Sequence, residues 1–309
     1  MAQDIPITDA RLQEIQRETA KDETLKVLQD VILHGWPEKY SMTAREVRPY
    51  YHVRDELVVQ AGVVFRGERV VIPRSLHSDI TSRIHSSHVG IEGCLRRARE
   101  TVYWPNMNAE IREYISRCES CRTYENNQQK ETLISHDIPN QPWSKVGCDL
   151  FALHEKNYLI TVDYFSNFWE VDYLPDTKSS TVIRKLRAQF ARHGVPNTVI
   201  SDNGPQFSAE EFRRFAREWG FDHVTSSPGY PQSNGKAEQA VKTAKRLMHL
   251  AKVSKTDPYL ALLDFRNTPS QSMDSSPAQR LMNRRTQTLL PMKATLLKPQ
   301  IPKSVSRQL

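Results

Sequence analysis

The order of hydrophobic and polar residues divides the first part of the chain into a helical and a strand-like segment. Residues 8–53 have helical spacing, with Asp22 placed to cap a helix that Gly35 ends. Residues 56–73 instead contain three short apolar runs separated by glycine-containing turns, a pattern typical of a three-stranded meander. Because three short strands are marginal alone, we expect the adjacent helices to pack on them.

From Trp143 onward, apolar runs alternate with helical segments. The order is three strands, a helix, a strand, a helix, a strand and a long helix, which predicts an α/β domain with a mixed five-stranded sheet flanked by helices. Ser208 and Glu211 fit a capping box at the start of the second helix. We expect strands at 145–151, 157–163, 167–174, 198–200 and 221–225, with the first helix at 180–193.

The last of these helices carries two stripes of different character. The core stripe consists of Ala237, Val241, Ala244, Met248 and Ala251. One residue along, and about 100° round the helix, the basic stripe consists of Glu238, Lys242, Lys245, His249 and Lys252. One acid followed by bases suits a metal site beside a phosphate backbone, although a solvated basic face would give the same pattern.

Two residue pairs with metal-chelating spacing lie in the helical segment after the meander. His85 and His88 are three residues apart, and Cys118 and Cys121 form a C-x-x-C pair after a further 29 residues. Two nitrogen and two sulfur ligands complete a closed tetrahedral site for one structural Zn²⁺. Unrelated surface cysteines are the alternative interpretation.

Two other residues of this segment are weaker candidates. His77 is a competing ligand in a less suitable position, and Cys94 lies in a helical run, where we expect a packed core thiol. Zinc binding would supply most of the folding free energy of the segment, on the order of 10 kcal/mol. A chelator should therefore unfold residues 74–124 and leave the chain after residue 143 folded.

Three acidic residues of the α/β segment have the chemistry of a divalent-metal site. Asp149 ends an apolar run, Asp202 follows a short strand, and Glu238 begins the basic stripe, with 35 residues between the last two. Carboxylate oxygens are the hard ligands that suit Mg²⁺. We interpret the three as one site, and we expect their mutual repulsion to raise at least one pKa.

Composition narrows the class of protein. The 309 residues are 38% hydrophobic and 26% charged, as in a globular protein of two or three domains. A net charge of +7 favours polyanionic partners. No secretory signal is evident and no apolar run approaches the length of a membrane span, so we expect no membrane partner. We expect an N-terminal extension at 1–73, a zinc domain at 74–124, a linker at 125–142, an α/β core at 143–285 and a tail at 286–309.

Together these motifs resemble the integrases of Gypsy-type LTR retrotransposons, within the retroviral integrase superfamily. Besides the two histidines and two cysteines, the resemblance rests on residues 103–105, 146–150, 162–166, 201–207, 230–238, 266–269 and 276–277. It implies an RNase H-like catalytic core, preceded by a small helical HHCC zinc domain and the N-terminal extension. It also implies a D,D,E triad of Asp149, Asp202 and Glu238 that holds two Mg²⁺ or Mn²⁺ ions. Asp163 stands in a matching motif but outside the triad.

The resemblance further implies a reaction and partners. Such an enzyme trims the ends of element DNA and joins them to target DNA, works as a homo-oligomer and is found in the nucleus. Lys242 and Lys245 fall where the family helix contacts DNA. Tyr230 and Asn234, in the loop before that helix, are candidates for positioning DNA.

Two departures from the family pattern leave a second function open. We see no C-terminal β-barrel or chromodomain after Arg285 and no preceding reverse transcriptase, so we expect a polyprotein fragment or a domesticated host copy. The protein is then either an active polynucleotidyl transferase or a DNA-binding or scaffold protein without integration activity. The intact triad favours activity.

Overall fold

The structure is a computed structural model that describes residues 9–123, 139–226, 235–270 and 275–299. Its helices are α1 (Asp9–Lys21), α2 (Glu23–His34), α3 (His77–His85), α4 (Ile91–Thr101), α5 (Met107–Ser116), α6 (Glu119–Thr123), α7 (Ser179–His193), α8 (Pro205–Ser208), α9 (Glu210–Trp219), α10 (Gly235–Val253), α11 (Pro258–Arg266) and α12 (Pro277–Met282). Its strands are β1 (Leu57–Gln60), β2 (Val63–Arg66), β3 (Arg69–Val71), β4 (Val102–Tyr103), β5 (Lys145–Leu153), β6 (Lys156–Asp163), β7 (Trp169–Leu174), β8 (Thr198–Ser201) and β9 (Asp222–Thr225).

The chain forms two compact units. In the described part of the chain, unit 1 contains residues 9–123, 259–270 and 283–299, and unit 2 contains residues 139–226, 235–258 and 275–282. Two of the predicted DNA contacts, Tyr230 and Asn234, lie outside the described residues.

The second helix of unit 1 begins and ends where local sequence signals place it. Asp22 caps α2, because its carboxylate accepts a hydrogen bond from the backbone N–H of Leu25 at 3.1 Å. Gly35 ends the helix with a φ of +110°, which glycine adopts without the steric penalty of a side chain. The predicted cap and end of this helix are therefore confirmed.

The meander is part of a four-stranded sheet, one strand more than we expected. β1, β2 and β3 are antiparallel, as predicted, and β4 pairs with β3 in parallel, Val70 beside Val102. A strand of two residues leaves no periodic pattern in the sequence. The sheet is covered on both faces: Phe65 packs in a core with residues of α3, α4 and α5, and Val64 packs in a second core with residues of α2.

Residues near the C-terminus belong to unit 1 and not to an independent tail. Leu290 lies in the same core as Ile84 and Leu95, and Arg285 forms an ion pair of 2.9 Å with Glu100. The units therefore do not follow the expected boundary at residue 285. The expectation that the whole chain after residue 143 folds independently of the zinc segment also needs correction.

Unit 2 contains the predicted mixed five-stranded sheet. Its strand order is β7-β6-β5-β8-β9; β5, β6 and β7 are antiparallel, while β8 and β9 run parallel to β5. This order and the flanking helices confirm the RNase H-like fold class. β5 is the central strand, so its residues are positioned from both sides.

The three helices predicted for unit 2 are present as α7, α9 and α10, and one of them starts differently from the prediction. Ser208 is the last residue of α8, and Ala209 precedes α9 without a side-chain cap, so the predicted capping box of Ser208 and Glu211 is wrong. Pro205 at the first turn of α8 supplies a helix start that the pattern of apolar residues did not reveal. No helix in the described ranges combines the length and apolarity of a membrane span.

Candidate metal sites

α10 lies on β5 and β6 and presents the two predicted stripes. Its buried face includes Ala237, Ala244 and Ala251, together with leucines at 247 and 250 that the predicted core stripe left out; Met248 is only half-buried. The basic stripe faces solvent, with His249 half-buried and its other four members exposed. The helix therefore holds Glu238 and the lysines on its solvent-facing surface.

Strand pairing brings Asp149 and Asp202 to the same edge of the sheet. β5 and β8 are parallel, with Val146 beside Val199 and Gly147 beside Ile200. Continued by two residues, the same register sets Asp149 level with Asp202, which directly follows β8. Side chains at matched positions of adjacent parallel strands point the same way.

Electrostatics shows that the third acid is close as well. The pKa of Asp149 is raised to about 6, first by burial and then by the negative charges of Asp202 and Glu238, while Leu150 N–H and Lys245 oppose the shift. The direction agrees with the expectation from mutual repulsion, although burial is the larger cause. The site therefore combines three acids with one lysine of the basic stripe.

The three carboxylates are neighbours without forming a tight ligand cluster. Across the described residues, only the four zinc candidates form a group of three or more His, Cys, Asp or Glu ligand atoms close enough for a single metal ion. Repulsion among three like charges opposes a closer approach of Asp149, Asp202 and Glu238.

Two backbone contacts orient the aspartates: Leu150 N–H donates to Asp149 Oδ1 at 2.8 Å, and Gly204 N–H donates to Asp202 Oδ1 at 3.2 Å.

His223 on β9 supports the start of the Asp202 segment. The buried Ser201 hydroxyl donates to the Asp202 carbonyl oxygen at 2.8 Å and contacts His223 Nε2 at 2.9 Å. With the hydroxyl as donor to the carbonyl, His223 Nε2 is the donor to Ser201 Oγ. The His223 ring also packs on Phe212, at 4.7 Å between centroids. Sequence reasoning missed this residue, because β8–β9 pairing is needed to place it.

Asp163 has a structural role. It is fully buried and accepts hydrogen bonds from Trp143 N–H, Phe165 N–H, and the backbone and hydroxyl of Ser166. These contacts occupy both carboxylate oxygens and fix the turn after β6. Cys148, beside Asp149, is buried with its pKa raised to about 12 by burial, as expected of a core thiol.

The predicted zinc ligands meet in unit 1. Ligand atoms of His85, His88, Cys118 and Cys121 all lie within 4.8 Å of one another. The separations are 3.3 Å for His88 Nδ1 to Cys121 Sγ, 3.6 Å for His88 Nδ1 to Cys118 Sγ, and 3.6 Å for His85 Nε2 to Cys121 Sγ. A tetrahedral zinc site with such ligands has edges of about 3.3–3.8 Å. The donor set and its spacing therefore fit Zn²⁺.

The surroundings of the cluster suit a closed structural site. Both histidines and Cys121 are buried, and burial lowers the pKa of His85 to about 4, which keeps its imidazole neutral as a metal ligand must be. His77 is not in the cluster: its ring stacks on Trp104 at 4.5 Å. Cys94 is buried, as predicted, and its Sγ lies 3.9 Å from the second ring nitrogen of His85.

Comparison with known proteins matches the same two regions. The model of the integrase zinc binding domain matches residues 72–127, and the model of the integrase core domain matches residues 138–231. An uncharacterized protein of Caenorhabditis elegans is 29% identical over 292 residues, covering 92% of this chain and 23% of the worm protein.

Viral and transposon polyproteins are also similar. The Pro-Pol polyprotein of feline foamy virus is 28% identical over 59% of this chain and 16% of its own length, and the transposon Tf2-3 polyprotein of Schizosaccharomyces pombe is 25% identical over 63% of this chain and 16% of its own. The crystal structure of the catalytic core domain of BIV integrase aligns with a TM-score of 0.40 and 20% identity, over 45% of this chain and 94% of that chain.

The chain thus contains an integrase zinc-binding domain followed by an integrase core domain, and it is similar to viral and retrotransposon polyproteins. It spans less than a quarter of the length of these curated relatives. The Gypsy subtype stays a prediction.

Proposed function

We propose that this protein is a polynucleotidyl transferase that trims the ends of element DNA and joins them to target DNA at a site formed by Asp149, Asp202 and Glu238. One observation carries the proposal: parallel pairing of β5 with β8 aligns the two aspartates. The charges of Asp202 and Glu238 add to burial, the larger cause, in raising the pKa of Asp149. A half-buried acid held next to two other acids is unfavourable for folding and is typical of a functional site.

The donor set fits divalent cations. Asp149, Asp202 and Glu238 would hold two Mg²⁺ or Mn²⁺ ions through carboxylate oxygens. When bound, such ions activate the attacking hydroxyl and stabilise the leaving oxygen in phosphodiester chemistry. The protein's own contribution is to fix the acids: β5 and β8 set the spacing of the aspartates, and Leu150 N–H and Gly204 N–H orient them.

The basic stripe provides the complementary surface for DNA. Lys242 and Lys245 are exposed on the helix that carries Glu238, and the charge of Lys245 reaches Asp149. Glu238 itself lies in the first turn of α10, where the helix dipole favours negative charge. A phosphate backbone would follow the lysines toward the acids. We extend the proposal to Tyr230 and Asn234 as DNA contacts from sequence alone.

Strand transfer on oligonucleotides with element-like ends tests the proposal. The parent protein is expected to join ends to target DNA with Mg²⁺ or Mn²⁺ and not with Ca²⁺ alone. Asp149→Asn, Asp202→Asn and Glu238→Gln should each abolish joining without loss of DNA binding. Glu210→Gln is the matched control, because Glu210 is exposed and pairs with Arg217 on the surface of α9. DNA binding without joining by the parent would favour the scaffold function instead.

The zinc-binding domain adds a structural Zn²⁺ to this proposal, held by His85, His88, Cys118 and Cys121. One equivalent of zinc per chain by elemental analysis, lost in Cys121→Ser, is the expected result. We also propose assembly into a homo-oligomer on DNA and a nuclear location, because joining two ends requires at least two copies of the site. Sedimentation with and without DNA ends measures the first, and imaging of a tagged chain the second.

A further inference from the structure

A buried ion pair joins two helices of unit 1 that are distant in sequence. Arg97 on α4 donates from Nη2 to Asp264 Oδ1 on α11 at 2.5 Å, and the two side chains are 4% and 8% exposed. Taking two charges out of water is costly unless the remaining donors and acceptors are also satisfied. The other hydrogen bonds of Arg97 and Asp264 therefore indicate the role of the ion pair.

The other contacts of both residues converge on one turn. Asp264 Oδ2 accepts hydrogen bonds from the hydroxyls of Ser87 and, at 3.3 Å, Ser86. Arg97 Nη1 donates to Ser87 Oγ at 3.2 Å and to the carbonyl oxygen of Ile84 at 3.1 Å. Residues 84–88 contain both histidines of the zinc site and the turn between them, and we call this segment the ligand turn.

The ligand turn has a conformation that needs such support. His88 has a φ of +48°, in the left-handed region, and its N–H donates to the His85 carbonyl oxygen at 2.8 Å. A left-handed conformation is unfavourable for a residue with a side chain. Nevertheless it is this turn that directs His85 Nε2 and His88 Nδ1 toward the cysteines.

The segment that supplies Asp264 is itself anchored on α4. Arg96 Nε donates to the carbonyl oxygen of Pro269 at 2.7 Å, and the Thr268 hydroxyl donates to the Asp264 carbonyl oxygen at 2.7 Å. These contacts involve the Arg-Asn-Thr-Pro motif at 266–269, to which the catalytic chemistry assigns no role. The segment that carries Asp264 is therefore linked to α4 at a second point, besides the ion pair with Arg97.

We propose that Asp264, together with Arg97, is a positioning residue for the zinc site: it holds the ligand turn in the conformation in which both imidazoles face Cys118 and Cys121. The zinc module is then completed by a carboxylate that lies 177 residues from Ser87 in the chain. This inference rests on the proposed occupation of the site by zinc and is independent of strand transfer, so loss of joining activity alone would leave it standing.

Two variants of the full-length protein separate positioning from simple stability. Ser87→Ala removes the hydroxyl that Asp264 and Arg97 share. The double variant Arg97→Met with Asp264→Leu replaces the ion pair by apolar side chains of similar volume, a change that commonly leaves stability unchanged or improved. Ser116→Ala is the matched control, because its hydroxyl donates to the Glu113 carbonyl oxygen on the surface of α5. That hydrogen bond is separate from those described above for Arg97, Asp264 and Ser87.

The measurements are the rate of Zn²⁺ release to a chromogenic chelator and the ligand-field spectrum of the Co²⁺-substituted protein, with thermal melting as the check on folding. Both variants should remain folded with zinc, release the ion faster by on the order of 10-fold, and show a shifted Co²⁺ spectrum. The control should match the parent in all three. The proposal would be overturned if Ser87→Ala and the double variant both had the same release rate and the same Co²⁺ spectrum as the parent. If the double variant fails to fold, Ser87→Ala decides alone.

Discussion

A chelator that removes zinc is expected to abolish hydrogen-exchange protection in two stretches of unit 1 that are far apart in the chain. The first stretch, 77–123, contains the four ligands. The second, 259–270, contains none of them but is joined to the ligand turn through Asp264. The prediction follows from the way the ligands are embedded in the unit.

The magnitude can be compared with the stability of a domain. A structural Zn²⁺ contributes on the order of 10 kcal/mol at neutral pH, which is comparable with the whole unfolding free energy of a typical domain, about 5–15 kcal/mol. Cys121 is also a member of the hydrophobic core that includes Ile84 and Ile111. Loss of the ion therefore loosens this core and releases the ligand turn. Arg97 and Asp264 then lose their hydrogen bonds to the serine hydroxyls of the turn.

Hydrogen exchange read by mass spectrometry measures this region by region. Protection should fall in 77–123 and 259–270 and return when zinc is added back. It should persist in the sheet of unit 2 and in α2, whose Leu25 and Leu28 belong to a separate core without zinc ligands. Unchanged protection of 259–270 alongside loss in 77–123 would refute the reasoning, because α11 would then be held without the ligand turn.

Three other predictions concern the acid site. Asp149→Asn should stabilise unit 2 by about 1–2 kcal/mol at pH 8, after allowance for solvent screening. Because the pKa of Asp149 is raised to about 6 in the folded protein, its cost to stability grows as the pH rises from about 4 to about 6 and is constant above that. The gain from Asp149→Asn should therefore vanish near pH 4 in denaturant titrations without Mg²⁺. Lys242→Ala and Lys245→Ala should each weaken DNA binding and lower the salt slope of log K by about 1. His223→Phe should slow strand transfer by on the order of 10-fold at unchanged DNA affinity, because the donor to Ser201 is lost while the ring packing is kept.

Each of these variants has a matched control in the same unit. Glu210→Gln removes an exposed acid and should show no gain in stability at pH 8. Lys178→Ala removes an exposed lysine before α7 and should leave the salt slope unchanged. His193→Phe changes a histidine that pairs with Glu170 on β7, the edge strand at the opposite end of the sheet from β9. This variant should leave the joining rate unchanged. A stability gain that is the same at pH 4 and pH 8, unchanged salt slopes, or a His223→Phe rate equal to the parent would each contradict its prediction.

The sequence predicted those features that depend on short-range patterns. The α2 boundaries follow from Asp22 and Gly35, whose effects are local. The spacing of the zinc ligands is likewise visible within two pairs of residues that are close in sequence. The two stripes of α10 follow from the helical repeat. The pairing of β5 with β8 was not visible, but acids at the ends of two apolar runs were enough to indicate a common site.

Features that depend on distant contacts could not be predicted. β4 has two residues and becomes a strand only beside β3, and α8 depends on Pro205 after a turn. Asp264 could not be singled out, since nothing near it in the sequence indicates Arg97 or Ser87. His223 gained its role only when β9 was placed beside β8.

The position of Asp264 has a consequence for the synthesis of the protein. The ligand turn leaves the ribosome 177 residues before the carboxylate that holds it. At about 5–20 residues per second, that interval lasts on the order of 10–30 s. Most of unit 2 is synthesised during this interval. Until α11 has been translated, after the proposed catalytic residues, Arg97 lacks its counter-charge and the ligand turn lacks the carboxylate that holds it. Chaperones or early zinc capture would matter most during this interval, and a stalled chain ending before α11 would expose an incomplete zinc module.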